Sequence, residues 1–321
     1  MTDTAVEAVS VVIPCFNQAR FLECAITSAR RQTHAPIEIL VVDDGSTDET
    51  STVAEHLGAH VMRQPNRGLS EARNAGLAAA RGEFVVMLDA DDELLPGALA
   101  AGIQALRSHP SASAAVGLCQ LMDESGGALP ATRHAIDGAD LYGEWLSKNF
   151  VWTAGAAMFR RHALCVSGGF PPRLGPAADY AVYLRLGRTE AVVAHGHEVV
   201  RYRQHEASMS RDPARMLRLT LEVLRRERRQ APARRRPQID RGREAWCAWY
   251  GDQIVARLGN AWRSGRLGLT DLTNLLTLVR HCPVLLLRHA RRAVMARLRR
   301  CGAWIGGRDS HAPPRDERLA R

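Results

Sequence analysis

The sequence predicts an α/β fold built on a doubly wound, mainly parallel sheet. Short apolar runs rich in β-branched residues recur along the first 90 residues, and segments with helical periodicity separate them. Two of these runs end in clustered carboxylates, Asp43-Asp44 and Asp89-Ala90-Asp91-Asp92. Because short strand–helix–strand units favour right-handed parallel crossovers, both clusters should lie at one rim of the sheet, where open α/β folds bind ligands.

The strands are assigned to apolar runs that end in polar residues or proline. In the first half they are residues 9–14, 37–42, 59–62 and 84–88. The stretch 112–159 has weak patterning, apart from a hairpin turn predicted at Gly126-Gly127. The later predicted strands are residues 151–159, 191–194 and 198–202.

The helices are assigned to segments whose apolar residues recur every three or four positions. They are residues 21–31, a segment capped by Thr47 or Asp48, and residues 69–80, 96–108 and 177–186. In the first helix, one face collects the predicted core residues Phe21, Leu22, Ala25, Ile26 and Ala29.

Composition indicates a globular protein with an uneven charge distribution. The chain has 321 residues, 46% hydrophobic and 24% charged, which argues against a disordered protein. Residues 1–210 carry 17 Lys and Arg against 24 Asp and Glu, whereas residues 211–321 carry 26 against 10. The second part should therefore meet an acidic partner surface, either a membrane or a nucleic acid.

Cysteine usage and hydropathy indicate a cytoplasmic protein. The seven cysteines form no Cys-x-x-Cys pair, which favours reduced thiols over disulfides or a zinc site. Residues 1–8 contain acids and no apolar core, so we expect no signal peptide. No uncharged apolar run approaches the roughly 18 residues that a spanning helix needs.

The C-terminal third is basic and carries aromatic residues. Residues 225–236 are dense in arginine, and one predicted helical face holds Trp246, Trp249, Tyr250, Leu258 and Trp262. Residues 284–300 form a basic amphipathic segment that suits an anionic membrane surface, or else a solvated helix packed on the domain. The predicted organisation is a tail (1–8), a main domain (9–210), a basic helical extension (211–305) and a disordered tail (306–321).

Asp89, Asp91 and Asp92 crowd three negative charges into four positions. Two interpretations are open on these residues alone. One is a hard cation such as Mg²⁺ or Mn²⁺, itself bound to phosphate oxygens. The other is a solvated acidic turn, which is common between strands and helices.

Four ordered motifs carry a resemblance to a known family. They are VSVVIPCFN from Val9, EILVVDDGSTD from Glu38, NRGLSEARNAG from Asn66 and LDADD from Leu88. With these motifs, residues 9–210 resemble the family-2 glycosyltransferases. The resemblance implies a GT-A fold, a Rossmann-like nucleotide-sugar-binding domain with a mixed, mainly parallel sheet flanked by helices, here with a C-terminal helical extension.

The resemblance also implies roles on the nucleotide side of the site. Pro14 would lie beside the base, and Asp44, with Asp43 next to it, would contact uracil. A carboxylate can accept the imide N–H of uracil or thymine, so the chemistry is sound. Arg73 would lie near the nucleotide.

The acidic motif would bind the rest of the donor. By resemblance, Asp89 with Ala90 faces the ribose hydroxyls, and Asp91 binds a divalent cation, Mn²⁺ or Mg²⁺, on the diphosphate. The cation neutralises charge on the departing nucleoside diphosphate. Asp92 receives no definite role. His205, in the segment that closes the family's domain, would contact the metal or the diphosphate, or else is a surface-loop histidine.

The acceptor side depends on Asp179. Inversion at the anomeric carbon needs a base that deprotonates the acceptor hydroxyl, and Asp179 matches the family's position for it, after Gly168-Gly169-Phe170. The acid that usually precedes it is replaced by Ala178. The alternative for Asp179 is a first-turn aspartate that stabilises a helix N-terminus. Trp152 would line the acceptor site or pack in the core, and we interpret His195 and His197 as structural.

The leading hypothesis is a metal-dependent inverting glycosyltransferase that takes part in cell-surface polysaccharide synthesis. It would use a UDP- or dTDP-linked sugar and a glycan or lipid-linked acceptor, with residues 211–300 at the inner face of the cytoplasmic membrane. A nucleotidyltransferase is disfavoured because no Gly-x-Gly-x-Arg-type loop follows the first strand. A non-catalytic nucleotide-sugar sensor and an arginine-rich nucleic-acid binder remain as alternatives. No nucleic acid is expected as a partner, because no recognition motif accompanies the arginines.

Overall fold

The computed structural model describes residues 8–34, 38–130 and 140–292, together with residue 295. Two compact units are present, residues 1–246 and residues 247–321. The predicted tail at 306–321 and residues 293–294 and 296–300 of the amphipathic segment predicted at 284–300 lie outside the described residues.

The first unit is built around one mixed sheet. Its strands in the described part of the chain are β1 (Val9–Cys15), β2 (Glu38–Asp43), β3 (His60–Arg63), β4 (Phe84–Met87), β5 (Glu93–Leu94), β6 (Ala112–Met122), β7 (Ala128–Leu129), β8 (Ala157–Arg160) and β9 (Ala191–Arg203). Their order is β3-β2-β1-β4-β8-β6-β9-β5, and β7 pairs with β6. Strands β1 to β4 pair in parallel, whereas β8 lies antiparallel between β4 and β6. The predicted α/β class with a mixed sheet is confirmed.

Helices cover the sheet in the first unit and continue into the second. They are α1 (Ala19–Arg30), α2 (Thr50–His56), α3 (Leu69–Ala79), α4 (Ala98–Ser108), α5 (Leu141–Ser147), α6 (Arg161–Val166), α7 (Ala178–Thr189), α8 (Pro213–Gln230), α9 (Arg236–Arg263) and α10 (Leu269–His281). Residues 283–292 are also helical. The five core residues predicted for the first helix are the buried residues of α1. Asp48 accepts hydrogen bonds from the backbone N–H groups of Thr50 and Ala19, and so serves the starts of both α2 and α1.

Three strand predictions need correction. Strand β1 runs through Pro14 to Cys15, because β4 pairs with β1 only as far as Val12 and leaves Pro14 outside that ladder. Residues 191–203 form one strand, β9, whose register against β6 shifts between Ala194 and Glu198. The strand predicted over 151–159 shortens to β8, preceded by a 3₁₀ turn.

The long central strand β6 lies in the stretch whose pattern was weak. Its first six residues are buried on both faces, so the alternation that marks a half-exposed strand is absent. The hairpin turn predicted at Gly126-Gly127 is confirmed, since it joins β6 to β7.

Gly76, in the third motif, lies where α3 packs closely on β1. A Cβ added at Gly76 would overlap the Val12 side chain and crowd Val42. Only glycine therefore allows α3 to approach the sheet this closely. This approach buries Arg73, one turn earlier on α3, to 2% exposure beside the acidic rim.

The basic C-terminal segment does not form one structural unit. Helix α8 contributes Val223 and Leu224 to the core of the first unit, and its Glu227 accepts a 2.7 Å hydrogen bond from the Tyr142 hydroxyl. The boundary predicted at residue 210 stays a prediction, while the compact units divide after residue 246. Among the described residues, no helix has the length and apolar character needed to traverse a bilayer.

Candidate active site

The carboxyl ends of β1, β2 and β4 meet at one edge of the sheet. The backbone N–H of Asp44 donates to Cys15 O at 2.9 Å, and that of Leu88 donates to Val12 O at 2.9 Å. These bonds hold the ends of the three strands side by side. The two acidic motifs therefore lie at the same rim, as their sequence positions predict.

Asp89 is paired with the buried guanidinium of Arg73. Nη2 of Arg73 donates to Asp89 Oδ1 at 2.6 Å. Burial raises the pKa of Asp89, and Arg73 opposes that rise. Within the described part of the chain, Nε and Nη1 of Arg73 are buried without a hydrogen-bond partner. Arg73 therefore holds unused donors beside the carboxylate predicted to face the ribose.

Asp91 and His205 face each other across 114 residues of sequence. His205 Nε2 lies 2.8 Å from Asp91 Oδ2. The His205 side chain is 1% exposed and that of Asp91 is 15% exposed. Two residues that the sequence analysis assigned separately to a metal thus lie side by side, and their role as metal ligands stays a prediction.

The ligating atoms of this pair, a carboxylate oxygen and an imidazole nitrogen, suit a divalent cation that also binds the phosphates of a nucleotide sugar. Neighbouring ligands of an octahedral Mg²⁺ lie about 3 Å apart, since each bond is about 2.1 Å long, and the Asp91–His205 separation is close to this. No cluster of three His, Cys, Asp or Glu able to hold a metal occurs among the residues that are described. Two protein ligands leave the remaining positions to phosphate and water, which is the usual arrangement for Mg²⁺ at nucleotides.

Asp92 is a buried residue that links segments of the rim through hydrogen bonds. Its side chain is fully buried, and it accepts a 2.6 Å hydrogen bond from the Thr153 hydroxyl and a 3.0 Å bond from the Arg203 backbone N–H. Burial, followed by the charges of Asp91 and Asp89, raises the pKa of Asp92 well above its usual range. Asp92, which had no definite role in the sequence analysis, ties the acidic loop to β9 and to the turn before β8.

Arg203 fixes the backbone around the Asp91–His205 pair. Its Nε donates to Asp91 O at 2.8 Å, and its two Nη atoms donate to Glu124 O and Glu93 Oε1. The guanidinium also lies 5.0 Å from the centre of the Phe21 ring, which in turn contacts the His205 ring at 5.0 Å. Arg203 is therefore a positioning residue for both predicted metal ligands.

The carboxylates at the end of β2 organise the adjoining loops. Asp43 accepts from the backbone N–H of Ser46 and from the Ser51 hydroxyl. Asp44 accepts from the Gln64 side chain and from the backbone N–H groups of Arg67 and Gly68. Three of the roughly four acceptor positions of Asp44 are thus used. One position remains for the imide N–H of a base, so its predicted contact with uracil stays a prediction.

The remaining residues that the sequence analysis assigned to the donor or the acceptor lie near the same rim. Pro14 is buried near the end of β1 and pairs with Val42 of β2. Ala90 is buried between Asp89 and Asp91. Trp152, next to Thr153, is half-buried, so part of this residue is accessible to solvent. The nucleotide roles of Pro14 and Ala90 stay predictions.

Asp179 occupies the first turn of α7, as the sequence predicts. It is 7% exposed, and its Oδ1 accepts from the Tyr180 backbone N–H at 2.7 Å. Burial raises the pKa of Asp179 to about 6, although the charge of Arg73 opposes the rise. Arg73 is thus electrostatically coupled to both Asp89 and Asp179, and its pKa is raised because their attraction outweighs the effect of burial.

The glycine loop before α7 is clamped onto α3. The Asn74 side chain donates to Phe170 O and accepts from the Phe170 N–H, at 2.8 and 2.7 Å. Gly169 has φ of +62°, and a Cβ there would lie 2.5 Å from Asn74 Oδ1. Phe170 is fully buried, and its ring centre lies 5.2 Å from the Arg73 guanidinium. Helix α3 therefore positions both Arg73 and the segment that leads to Asp179.

Sequence reasoning missed Thr153 and gave Arg203 no role. Thr153 lies in a stretch without a usable pattern, so no signal identified it. Arg203 stands two residues before His205, and its nearness to a predicted ligand was the available signal. His195 and His197 contact each other at 5.6 Å between ring centres, and burial followed by His197 lowers the pKa of His195 to about 4. Neither histidine takes part in the contacts described at the rim.

Comparison of the sequence with known families finds glycosyltransferases. The model of the family described as "Glycosyl transferase family 2" matches residues 10–166. The uncharacterized glycosyltransferase alr2836 of Nostoc sp. is 37% identical over 175 residues, 53% of this chain and 50% of that protein. A GalNAc(5)-diNAcBac-PP-undecaprenol β-1,3-glucosyltransferase of Campylobacter jejuni is 40% identical over 102 residues, 30% of this chain and 33% of that protein. The chain thus spans half or less of the length of these curated relatives.

Solved structures share the fold. The chain resembles S. aureus TarS 1-349 in complex with UDP-GlcNAc, with a TM-score of 0.56, 21% identity and coverage of 74% of this chain and 71% of that one. It also resembles the mannosyltransferase PcManGT of Pyrobaculum calidifontis in complex with GDP-Man and Mn²⁺, with a TM-score of 0.55, 19% identity and coverage of 85% and 86%. The predicted GT-A fold is confirmed. The segment 10–166 belongs to glycosyl transferase family 2.

Proposed function

We propose that the protein is a metal-dependent inverting glycosyltransferase. It transfers a sugar from a nucleotide diphosphate donor, UDP- or dTDP-linked, onto a glycan or lipid-linked acceptor. The observation that supports this most strongly is that the buried guanidinium of Arg73 acts on both Asp89 and Asp179, while Asp91, whose charge acts on Asp89, faces His205. It puts groups suited to a donor diphosphate and a candidate base into one electrostatic cluster.

On the donor side, each residue has a task that its surroundings allow. Asp89 accepts hydrogen bonds from the ribose hydroxyls while Arg73 holds its other oxygen. Asp91 and His205 bind a divalent cation together with the diphosphate. When bound, the cation stabilises the negative charge that develops on the departing nucleoside diphosphate.

On the acceptor side, Asp179 removes the proton from the attacking hydroxyl. The new glycosidic bond forms at the anomeric carbon as the bond to the diphosphate oxygen breaks, and the proton passes to Asp179 Oδ. With a pKa of about 6, this carboxylate is ionised at neutral pH and is a stronger base than an exposed aspartate. Ala178 supplies no second acid, so Asp179 acts without the neighbouring carboxylate that the family usually has.

Two features support a glycan or lipid-linked acceptor in cell-surface polysaccharide synthesis. The relatives include a chondroitin synthase of Escherichia coli and the Campylobacter enzyme, whose name specifies a PP-undecaprenol glycan. The basic segment 211–300 would hold the protein peripherally on the inner face of the cytoplasmic membrane, through anionic lipids. A lipid-linked acceptor would be presented at that surface.

A donor screen tests the proposal. The melting temperature of the full chain is measured with a panel of nucleotide-sugars, in the presence of Mn²⁺ or of EDTA. Release of nucleoside diphosphate is measured separately on the folded protein. We expect a UDP- or dTDP-sugar to raise Tm only with Mn²⁺. At a ligand concentration of about 100 Kd the stabilisation is about 2.7 kcal/mol. If no donor raises Tm and none is hydrolysed or transferred, the protein is not a glycosyltransferase.

A further inference from the structure

The second unit exposes an apolar stripe on α10. Leu269, Leu272, Leu276 and Val279 recur at intervals of three or four residues, which places them on one side of the helix. All four side chains are exposed, Leu269 to 85% and Leu276 to 59%. Leu275, at the border of the stripe, is exposed as well.

The opposite side of α10 makes the internal contacts of the unit, and it is partly polar. Asn274 and Thr277 are each only 5% exposed, and Leu278 is fully buried. The helix therefore packs a face with two polar residues inward while its leucine-rich face meets solvent. Soluble amphipathic helices normally do the reverse, because burial of apolar surface drives folding.

The following helical residues continue the pattern. Val284 and Leu287, three positions apart, are about 70% exposed, whereas Leu285 is buried. On α9, Trp249 and Trp262 are exposed to 64% and 65%. A row of exposed apolar residues along a helix marks an interaction surface, and exposed tryptophans elsewhere in the same unit are typical of proteins that meet a membrane interface.

The charge around this surface identifies its occupant. Residues 247–292 contain seven arginines and two aspartates. Arg280, Arg288, Arg291 and Arg292 are exposed close in sequence to the apolar stripe. A second copy of the same chain would bring two positively charged faces together, which is unfavourable. An anionic bilayer offers both the negative charge and the apolar phase.

The length of α10 indicates how such a helix would bind. Its 13 residues extend about 20 Å, less than the roughly 30 Å hydrocarbon core of a bilayer. We propose that the Leu269–Val279 stripe, with Val284 and Leu287, is a monotopic docking surface for anionic lipid, lying in the plane of the headgroups. The evidence for this surface is independent of the proposed sugar transfer.

Vesicle flotation of the full chain tests the proposal. The wild type should float with phosphatidylcholine vesicles that contain about 30 mol % phosphatidylglycerol, and weakly with pure phosphatidylcholine, because the arginines need negative charge. Added salt of about 0.5 M should reduce the partition coefficient several-fold. Equal binding to neutral and anionic vesicles, or no binding, would overturn the proposal.

Substitution of the stripe separates it from the rest of the basic segment. Leu272→Gln, Leu276→Gln and Val279→Gln together should lower the partition coefficient at least about tenfold, since three apolar side chains lose their transfer into lipid. The matched control is Leu129→Gln with Val166→Gln, two exposed apolar residues of the first unit, which should bind vesicles like the wild type. Circular dichroism melting checks that both variants fold.

Two further results complete the test. Light scattering after gel filtration should give a monomer for the wild type and for the triple variant. A wild-type dimer that the triple substitution dissociates would assign the stripe to a second copy and overturn the lipid proposal. Release of nucleoside diphosphate from a soluble donor is measured without vesicles, so a failure of sugar transfer and a failure of docking are recognised separately.

Discussion

The donor and acceptor halves of the candidate site are supported to very different degrees. The acidic loop after β4 is held by Arg73, Thr153, Arg203 and His205, which come from three separate segments: α3, the turn before β8, and the end of β9 with the residues that follow it. The Asp179 carboxylate, by contrast, accepts a hydrogen bond from the backbone N–H of its own neighbour Tyr180, within the first turn of α7. Three like charges need many fixed partners, whereas a base needs freedom to exchange a proton with its substrate. The difference suggests that donor geometry is rigid and that acceptor specificity depends on groups other than Asp179.

Loss of the predicted metal ligand should have the largest effect. Asp91→Asn keeps the shape of the side chain but removes its charge, so we expect transfer to fall at least about 1,000-fold, the scale on which lost electrostatic stabilisation of a transition state is felt. Initial rates at saturating donor and Mn²⁺ measure this. Asp240→Asn, an exposed aspartate on α9, is the control and should retain activity. Full transfer by Asp91→Asn would remove this residue from the mechanism.

Loss of the proposed base should impair sugar transfer but leave donor binding unchanged. Asp179→Asn should lower transfer on the order of 100-fold or more, because a general base is removed. Donor affinity, measured by calorimetry with the nucleoside diphosphate and Mn²⁺, should stay near the wild-type value. Asp212→Asn alters another aspartate at a helix start and controls for the helix dipole. A variant at Asp179 that transfers normally would favour the alternative of a purely structural first-turn aspartate.

The pH profile should identify the base without a change of structure. The active form of Asp179 is the carboxylate, so kcat should fall about tenfold per pH unit below its pKa of about 6 and level off above it. The groups that act on Asp179 are Arg73, Asp89, Tyr183 and Cys119. The residual activity of Asp179→Asn should lack this limb. An unchanged acidic limb in that variant would assign the titration to another group.

Removal of the Asp92 contact should have the smallest effect, and it falls on stability. Thr153→Val deletes the hydroxyl that donates to Asp92 Oδ2, and a buried acceptor that loses its donor costs about 1–3 kcal/mol. Urea unfolding measures this free energy. Thr189→Val removes an exposed hydroxyl that bonds Arg185 O, and it should change stability by less than about 0.5 kcal/mol. Equal losses in the two variants would show that the Asp92 network does not hold the rim.

Sequence reasoning reached the donor half because its residues fall at strand ends in local motifs. Apolar runs place Asp44 and Asp89 at one edge through backbone geometry alone, without knowledge of side-chain contacts. Thr153 could not be found in this way, because its partner Asp92 is 61 residues away and only the folded sheet joins them. The single strand β9 was divided into two because its register shift interrupts the alternation near His195 to His197.

The basic segment shows a second limit of sequence patterns. Composition marked residues 211–300 as one region, yet α8 buries Val223 and Leu224 in the first unit. Periodicity alone cannot say which side of α10 faces inward, since its apolar stripe would normally be assigned to a core. The burial of Asn274 and Thr277 shows that the partly polar side of α10 faces inward.

The large sequence separation within the Asp91–His205 pair affects how the protein folds during translation. Its members are separated by 114 residues, and Arg203, which fixes both, lies 112 residues from Asp91. A nascent chain can form the early parallel strands and expose the acidic rim well before His205 has been synthesised. Contacts between such distant segments form slowly, since a long loop must close first. The carboxylates of the rim therefore lack these partners during much of translation, and the two predicted metal ligands meet only after β9 has docked.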